Sequence, residues 1–155
     1  MGNEHWVFVI KVQDKPGALT AIASAFSSRG VSLETTLGSS AASMLGAPST
    51  IVLSFHATER KKETLWRTLS RLQQVLQVQA YPYGSRELRS IAIVRVAPDE
   101  KMDLPTKGLQ TEIISERGDS KTLLITGSTQ AVDKAVEMLR ERGTLLDTVT
   151  TVMAV

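Results

Sequence analysis

The residues best placed to do chemistry are Asp14-Lys15-Pro16-Gly17-Ala18-Leu19. An extended apolar run, residues 6–12, precedes them, and a helical pattern that stops at Arg29-Gly30 follows. A strand thus feeds a tight turn, and the turn opens a helix with its first amides facing outward. Those amides have no carbonyl partner inside the helix. The positive end of the helix dipole lies there too, so the turn suits a carboxylate or another partner oxygen. A small-molecule or partner contact site is expected at this turn. Asp14 caps the helix in this reading, and Pro16 sits in its first turn, where a missing N–H is harmless.

The rest of the chain carries little other reactive chemistry. There is no cysteine, which excludes disulfides, thiolate metal sites and a cysteine nucleophile. His5 and His56 lie far apart in sequence, and neither has a third ligand at helical or hairpin spacing, so no metal site is expected. Neither has a patterned partner for a serine triad, and no phosphate-binding G-x-x-x-x-G-K-[ST] occurs. Arg60, Lys61, Lys62 and Arg67 read as a solvated helix face.

The composition narrows the class. At 155 residues the chain fits one domain or two small ones. Aromatic residues are only 5%, which weakens any case for base stacking. The pI is near 9.0, yet 18 basic residues face 16 acidic ones, so the surface is not strongly basic and no nucleic-acid partner is expected. No apolar run approaches the roughly 18 residues of a membrane span, and residues 1–5 are polar, without the apolar core of a signal peptide. Trp6 stands where a myristoylation signal has Ser or Thr. A soluble protein of the cytoplasm, or of an organelle stroma after import, is expected, with no membrane partner.

The elements that must position the turn follow from periodicity. Residues 6–13 alternate, with Trp6, Phe8, Ile10 and Val12 on one face, which predicts a strand. Leu19, Ile22, Ala23 and Phe26 form one helical stripe, closed by Arg29-Gly30. Residues 31–37 and 50–56 predict two more strands. The small, polar stretch 38–49 between them is long for a hairpin loop. A second helix starts at Thr58 and buries Leu65, Leu69, Leu72 and Leu76; residues 78–83 predict a fourth strand. The order β-α-β-β-α-β makes a ferredoxin-like unit, an antiparallel sheet with both helices on one face. The other face has apolar positions, so pairing with another copy is expected.

The second half repeats that order with one helix lost. Residues 90–96 are nearly continuously apolar, which predicts a buried central strand. Residues 97–108 contain Pro98, Pro105 and Gly108 and cannot hold a helix of three turns with its connections. Residues 109–115 and 121–126 predict a hairpin. Ser128 or Thr129 caps a helix with Val132, Ala135, Val136 and Leu139 inside, ended by Arg142-Gly143, and residues 145–152 predict the last strand. The fold class expected is α+β: two ferredoxin-like βαββαβ units, the second missing its first helix. The junction is placed at 85–89.

The stretch from Val9 to Leu37 resembles an ACT domain, through Asp14-Lys15-Pro16-Gly17-Ala18-Leu19, Ile22-Ala23, Phe26 and Arg29-Gly30-Val31-Ser32-Leu33-Glu34. The second half resembles that of the acetolactate synthase small (regulatory) subunit, through Ile91-Ala92-Ile93-Val94-Arg95-Val96, Leu123-Leu124-Ile125-Thr126-Gly127 and the run from Leu139 to Gly143. The resemblance implies a non-catalytic protein with an N-terminal ACT domain over 1–84 and a truncated ACT-like domain over 85–155. It implies a homodimer that binds a small amino-acid effector of branched-chain type, such as valine, at the dimer interface. It also implies a catalytic partner, the thiamine-diphosphate-dependent large subunit, and no cofactor of its own. The ligand-binding residues implied are Asp14, Lys15, Pro16, Gly17, Ala18 and Leu19 on the turn and Ser32 on the next strand. The chain departs from the family at Ser32, where Asn is common, and at Val149-Thr150-Thr151, which replaces an Arg-Thr-Gly segment.

Three other readings of the same pattern stay open. One is a free-standing amino-acid sensor acting on a different enzyme. An RNA-binding βαββαβ domain needs exposed aromatics on the middle strands, for which Trp6, Phe8 and Phe55 are the candidates. A small ferredoxin-like enzyme ranks last, because no convergent acid, base and nucleophile are present.

Overall fold

The computed structural model describes residues 2–13, 17–40 and 47–155. The chain forms two compact units, Met1–Ser85 with Ala154–Val155, and Arg86–Met153. The first unit runs β1 (Glu4–Val12), α1 (Ala18–Ser27), β2 (Leu33–Ser39), β3 (Ser49–Ala57), α2 (Glu59–Ser70) and β4 (Val75–Pro82). Its antiparallel sheet has the order β2-β3-β1-β4. The alternation in β1 does what its period demands: Trp6, Phe8, Ile10 and Val12 all enter the core under the helices. There Phe8, Phe26 and Phe55 meet edge to face, with ring centroids 4.8 to 6.1 Å apart. Of the long stretch 38–49, Gly38 and Ser39 extend β2 and Ser49 opens β3, while residues 41–46 lie outside the described residues.

Three expectations for this unit need correction. The buried stripe of α1 is Ala18, Ile22, Ala25 and Phe26; Leu19 is 48% exposed. Both stripes share Ile22 and Phe26, and the helix turns its alanines inward against the sheet. Leu76 is also out of the core, because α2 ends at Ser70 and Leu76 lies in β4, exposed. Lys62 is not a solvated cation. Its side chain is largely covered, its ammonium lies 4.4 Å from the Trp6 ring centre, and Glu59 pairs with it at 2.9 Å.

The second unit runs β5 (Arg89–Val96), β6 (Leu109–Arg117), β7 (Ser120–Gly127), α3 (Thr129–Glu141) and β8 (Leu145–Met153). The strand order β6-β7-β5-β8 is that of the first unit. Ser128 caps α3, its side chain accepting from the Ala131 amide at 3.2 Å, and the predicted stripe Val132, Ala135, Val136 and Leu139 is buried. β5 is central but covered on one face only. Ala92, Val94 and Val96 are buried, while Ile93 is exposed and Arg95 reaches water, so the continuous apolar run does not mark a strand covered on both sides.

Residues 97–108 form no helix, and their packing shows how the core closes without one. Met102 and Leu104 pack onto it in the helix's place. An ion-pair network then pins the segment. The Arg142 guanidinium lies 2.7 Å from both Glu100 Oε1 and Asp103 Oδ1, at the C-terminal end of α3 where a cation is favoured. Burial raises the pKa of the Glu100 carboxyl, but hydrogen bonds from Thr144 and Arg142 and the Arg142 charge outweigh it, holding the pKa below the ordinary value near 4.5. A carboxyl with a depressed folded pKa contributes stability above its unfolded pKa, which is lost as pH falls through the folded value. Glu100→Gln is therefore expected to lower the urea midpoint at pH 7. Titrating both proteins from pH 7 downward should close the gap below about pH 4.5. A gap that does not change with pH would show that the charge is immaterial.

Candidate functional site

At the turn, the N-cap of α1 is Gly17, in the left-handed region at φ 89°. Only glycine takes that conformation freely, and with no Cβ it leaves the helix end bare. The first intrahelical bond runs from the Ala21 amide to the Gly17 carbonyl at 2.9 Å, so the amides of Ala18, Leu19 and Thr20 precede the ladder. Gly17 and Leu19 are exposed beside them and Ala18 is buried. Asp14, Lys15 and Pro16 lie outside the described residues, and with them the expected Asp14 cap and the Pro16 first turn.

Ser32 is exposed but stands elsewhere. It follows the other end of α1 and lines a cavity of about 430 Å³ with Ala23, Phe26, Ser27, Gly30, Val31 and Leu33. Strand register fixes the separation. Leu33 is level with Phe55 and so with Trp6 near the start of β1, whereas Gly17 follows the end of β1. The ten residues of α1 lie between Gly17 and Ser32, about 15 Å of helix. One chain does not bring the two together.

The aromatics proposed for stacking on RNA face the wrong way. Trp6, Phe8 and Phe55 are buried under the helices, so that reading loses its platform. A larger cavity, about 650 Å³, lies in the second unit between the Arg89 end of β5 and the start of β6, lined by hydroxyls, glycines, Ile91, Leu109 and Gln110, with Arg89 its one charged side chain. It holds no acid–base pair and none of the expected site residues.

One cluster escaped the sequence reading. His5 and His56 are cross-strand partners on β1 and β3, and Glu34 comes alongside from β2. Its carboxylate reaches His5 Nε2 at 2.8 Å and His56 Nδ1 at 2.7 Å. The imidazoles stack at 4.0 Å, and Tyr83 covers the other face of His5 at 3.7 Å. Sequence spacing gives no hint of this, since three separate strands supply the residues. The only available signal was strand parity, which puts His5 on the face of Val7 and Val9.

These features define an α+β protein of two ferredoxin-like units, the second lacking its first helix. No family model matches the sequence, and no curated protein matches it. In structure the chain is similar to the acetolactate synthase small subunit from Thermotoga maritima, with a TM-score of 0.74 and 19% identity over 97% of this chain and 96% of that one. At that identity the likeness establishes a shared fold. The chain also aligns with the ligand-free regulatory subunit of aspartate kinase from Thermus thermophilus, with a TM-score of 0.49 and 13% identity over 89% of this chain and 92% of that one.

Proposed function

We propose that this chain is a non-catalytic regulatory subunit. It binds an amino-acid effector of branched-chain type, such as valine, at a two-fold ACT interface, and it modulates a thiamine-diphosphate-dependent acetolactate synthase catalytic subunit. The observation that carries the reading is the bare N-terminus of α1 at Gly17, with unladdered amides beside an exposed Leu19. The amides and helix dipole take the effector carboxylate and Leu19 supplies an apolar wall; Asp14 is the candidate partner of the ammonium, and Lys15 and Pro16 are the other candidate contacts. Residues 1–84 act as the sensing domain and 85–155 as a truncated copy, which lacks both the glycine and the helix at Ala97-Pro98-Asp99. The protein works in the cytoplasm or an organelle stroma.

If Gly17 and Ser32 both contact the effector, two copies must build the site together. An effector is far shorter than α1, so it cannot touch both residues of one chain. In a two-fold pair the two α1 helices can run in opposite directions, which sets one copy's Gly17 against its partner's Ser32. A single chain then has half of each of two equivalent sites.

Thermal-shift screening over the twenty amino acids tests the effector. A branched-chain amino acid at 100 times its Kd should add about 2.7 kcal/mol of stability. No shift with any amino acid would overturn the reading. Gly17→Asp places a carboxylate where the effector's own must sit, and should abolish the shift. Its effect on the unliganded fold should be modest, a left-handed strain of about 1–3 kcal/mol at a residue type that tolerates it well. An amino-acid shift without co-purification of a thiamine-diphosphate enzyme would favour a free-standing sensor.

A further inference from the structure

We infer that His5, His56 and Glu34 form a binding site for a divalent first-row transition metal, with Zn²⁺ the best fit. The inference is independent of the amino-acid reading, since the cluster lies on the sheet face of the first unit that points away from α1 and α2.

Three adjacent strands converge on one point. β1 and β3 place the two imidazoles directly across from one another, and the irregular register of β2 between Leu33 and Thr35 turns Glu34 toward them. The three donor atoms all lie within 4.8 Å of one another. Zinc at about 2.0–2.2 Å from each ligand holds tetrahedral donors about 3.3 Å apart, so no pair needs to close by more than about 1.5 Å. His56 and Glu34 are nearly half exposed; because the two imidazole planes lie only 19° apart, His56 has to swing out of its stack on His5 to aim Nδ1 at a shared ion, and its exposure leaves room for that. His5 is the fixed member, 22% exposed and clamped between the His56 and Tyr83 rings. The Tyr83 amide also donates to the His5 carbonyl at 3.0 Å.

The donor chemistry selects the metal. Two neutral imidazoles and one carboxylate suit zinc, cobalt, nickel or copper, whereas magnesium and calcium ask for an all-oxygen shell. Three protein ligands leave a fourth position for water, which the exposed side of the cluster admits. The bound ion would clip the start of β2, an outer strand, to β1 and β3.

The test uses the full, untagged chain, stripped with a chelator and titrated with ZnCl₂ by calorimetry, with Co²⁺ as a spectroscopic stand-in. Saturable binding of one ion per chain is expected, with visible Co²⁺ bands of a four-coordinate site and a rise in Tm. His56→Gln and Glu34→Gln change exposed side chains and should leave the stripped protein folded. Each should weaken Zn²⁺ binding by at least about tenfold and remove the Tm rise. Absence of saturable binding to the parent chain overturns the proposal, and so does binding of unchanged strength in both variants. The cluster would then be a carboxylate bridging two histidines and nothing more.

Discussion

Phe26→Ala should remove about 3–5 kcal/mol from the stability of the first unit, the range for emptying a fully buried aromatic position. Phe26 is 1% exposed on the last turn of α1, and its ring meets Phe55 at 4.9 Å and Phe8 at 6.1 Å. Truncation loses the transfer free energy of the ring and two edge-to-face contacts together. The hole cannot collapse easily, because Phe8 and Phe55 are anchored on neighbouring strands of one sheet, with Phe8 paired across to Leu53. A domain of this size holds only about 5–15 kcal/mol in all, so the loss is a large share. In urea it corresponds to a fall in midpoint on the order of 2 M. Phe26→Leu keeps most of the buried volume and should lose much less. Equal losses in the two variants would mean that the aromatic trio is not what fills this core.

The core was legible in the sequence because its signal is local. Alternation over residues 6–12 selects a face without reference to anything distant, and so does the 3.6 period of Val132, Ala135, Val136 and Leu139. The missing helix was legible too, since Pro98, Pro105 and Gly108 leave too short an uninterrupted run for a helix of three turns and its connections. Errors arose where two local patterns fitted equally. Leu19-Ile22-Ala23-Phe26 and Ala18-Ile22-Ala25-Phe26 are both acceptable stripes, and the fit of α1 to the sheet chose the second. The leucine repeat of α2 likewise continues past Ser70, but β4 takes over at Val75.

What was not legible depends on register. The approach of Lys62 to Trp6 crosses from α2 to β1, and no spacing within either segment encodes it. The His5–Glu34–His56 cluster requires two strand pairings and an irregularity to be known together. Of the candidate effector site, the turn itself was legible as a motif. The left-handed cap was not, since it lies at Gly17 where the sequence pointed to Asp14. Nor was the distance to Ser32, which follows from the strand register and from the ten residues of α1 between it and Gly17.

Gly127→Ala should be the most damaging small substitution in the second unit. A Cβ built on Gly127 would lie 2.0 Å from the Gly108 carbonyl oxygen, 3.1 Å from its carbon and 3.3 Å from Leu109 Cα. All three are backbone atoms, so no rotamer change relieves the contact. Gly108 cannot simply turn its carbonyl aside. It is held at φ 70°, and that oxygen accepts the Ser128 amide at 3.3 Å, next to the cap of α3. The added methyl must therefore separate the start of β6 from the end of β7, where Leu109 and Gly127 pair. Leu109 packs against the core and would be drawn away with it. Overpacking of this kind costs typically 1–3 kcal/mol, and a backbone-to-backbone contact belongs at or above the upper end, about 3 kcal/mol. Gly108→Ala is the comparison: its Cβ would meet only side chains at 3.8 Å and beyond, so it carries the left-handed strain of about 1–2 kcal/mol alone. Urea midpoints should rank the parent above Gly108→Ala and Gly108→Ala above Gly127→Ala. The reverse order of the two variants would show that β6 and β7 do not approach this closely at their ends.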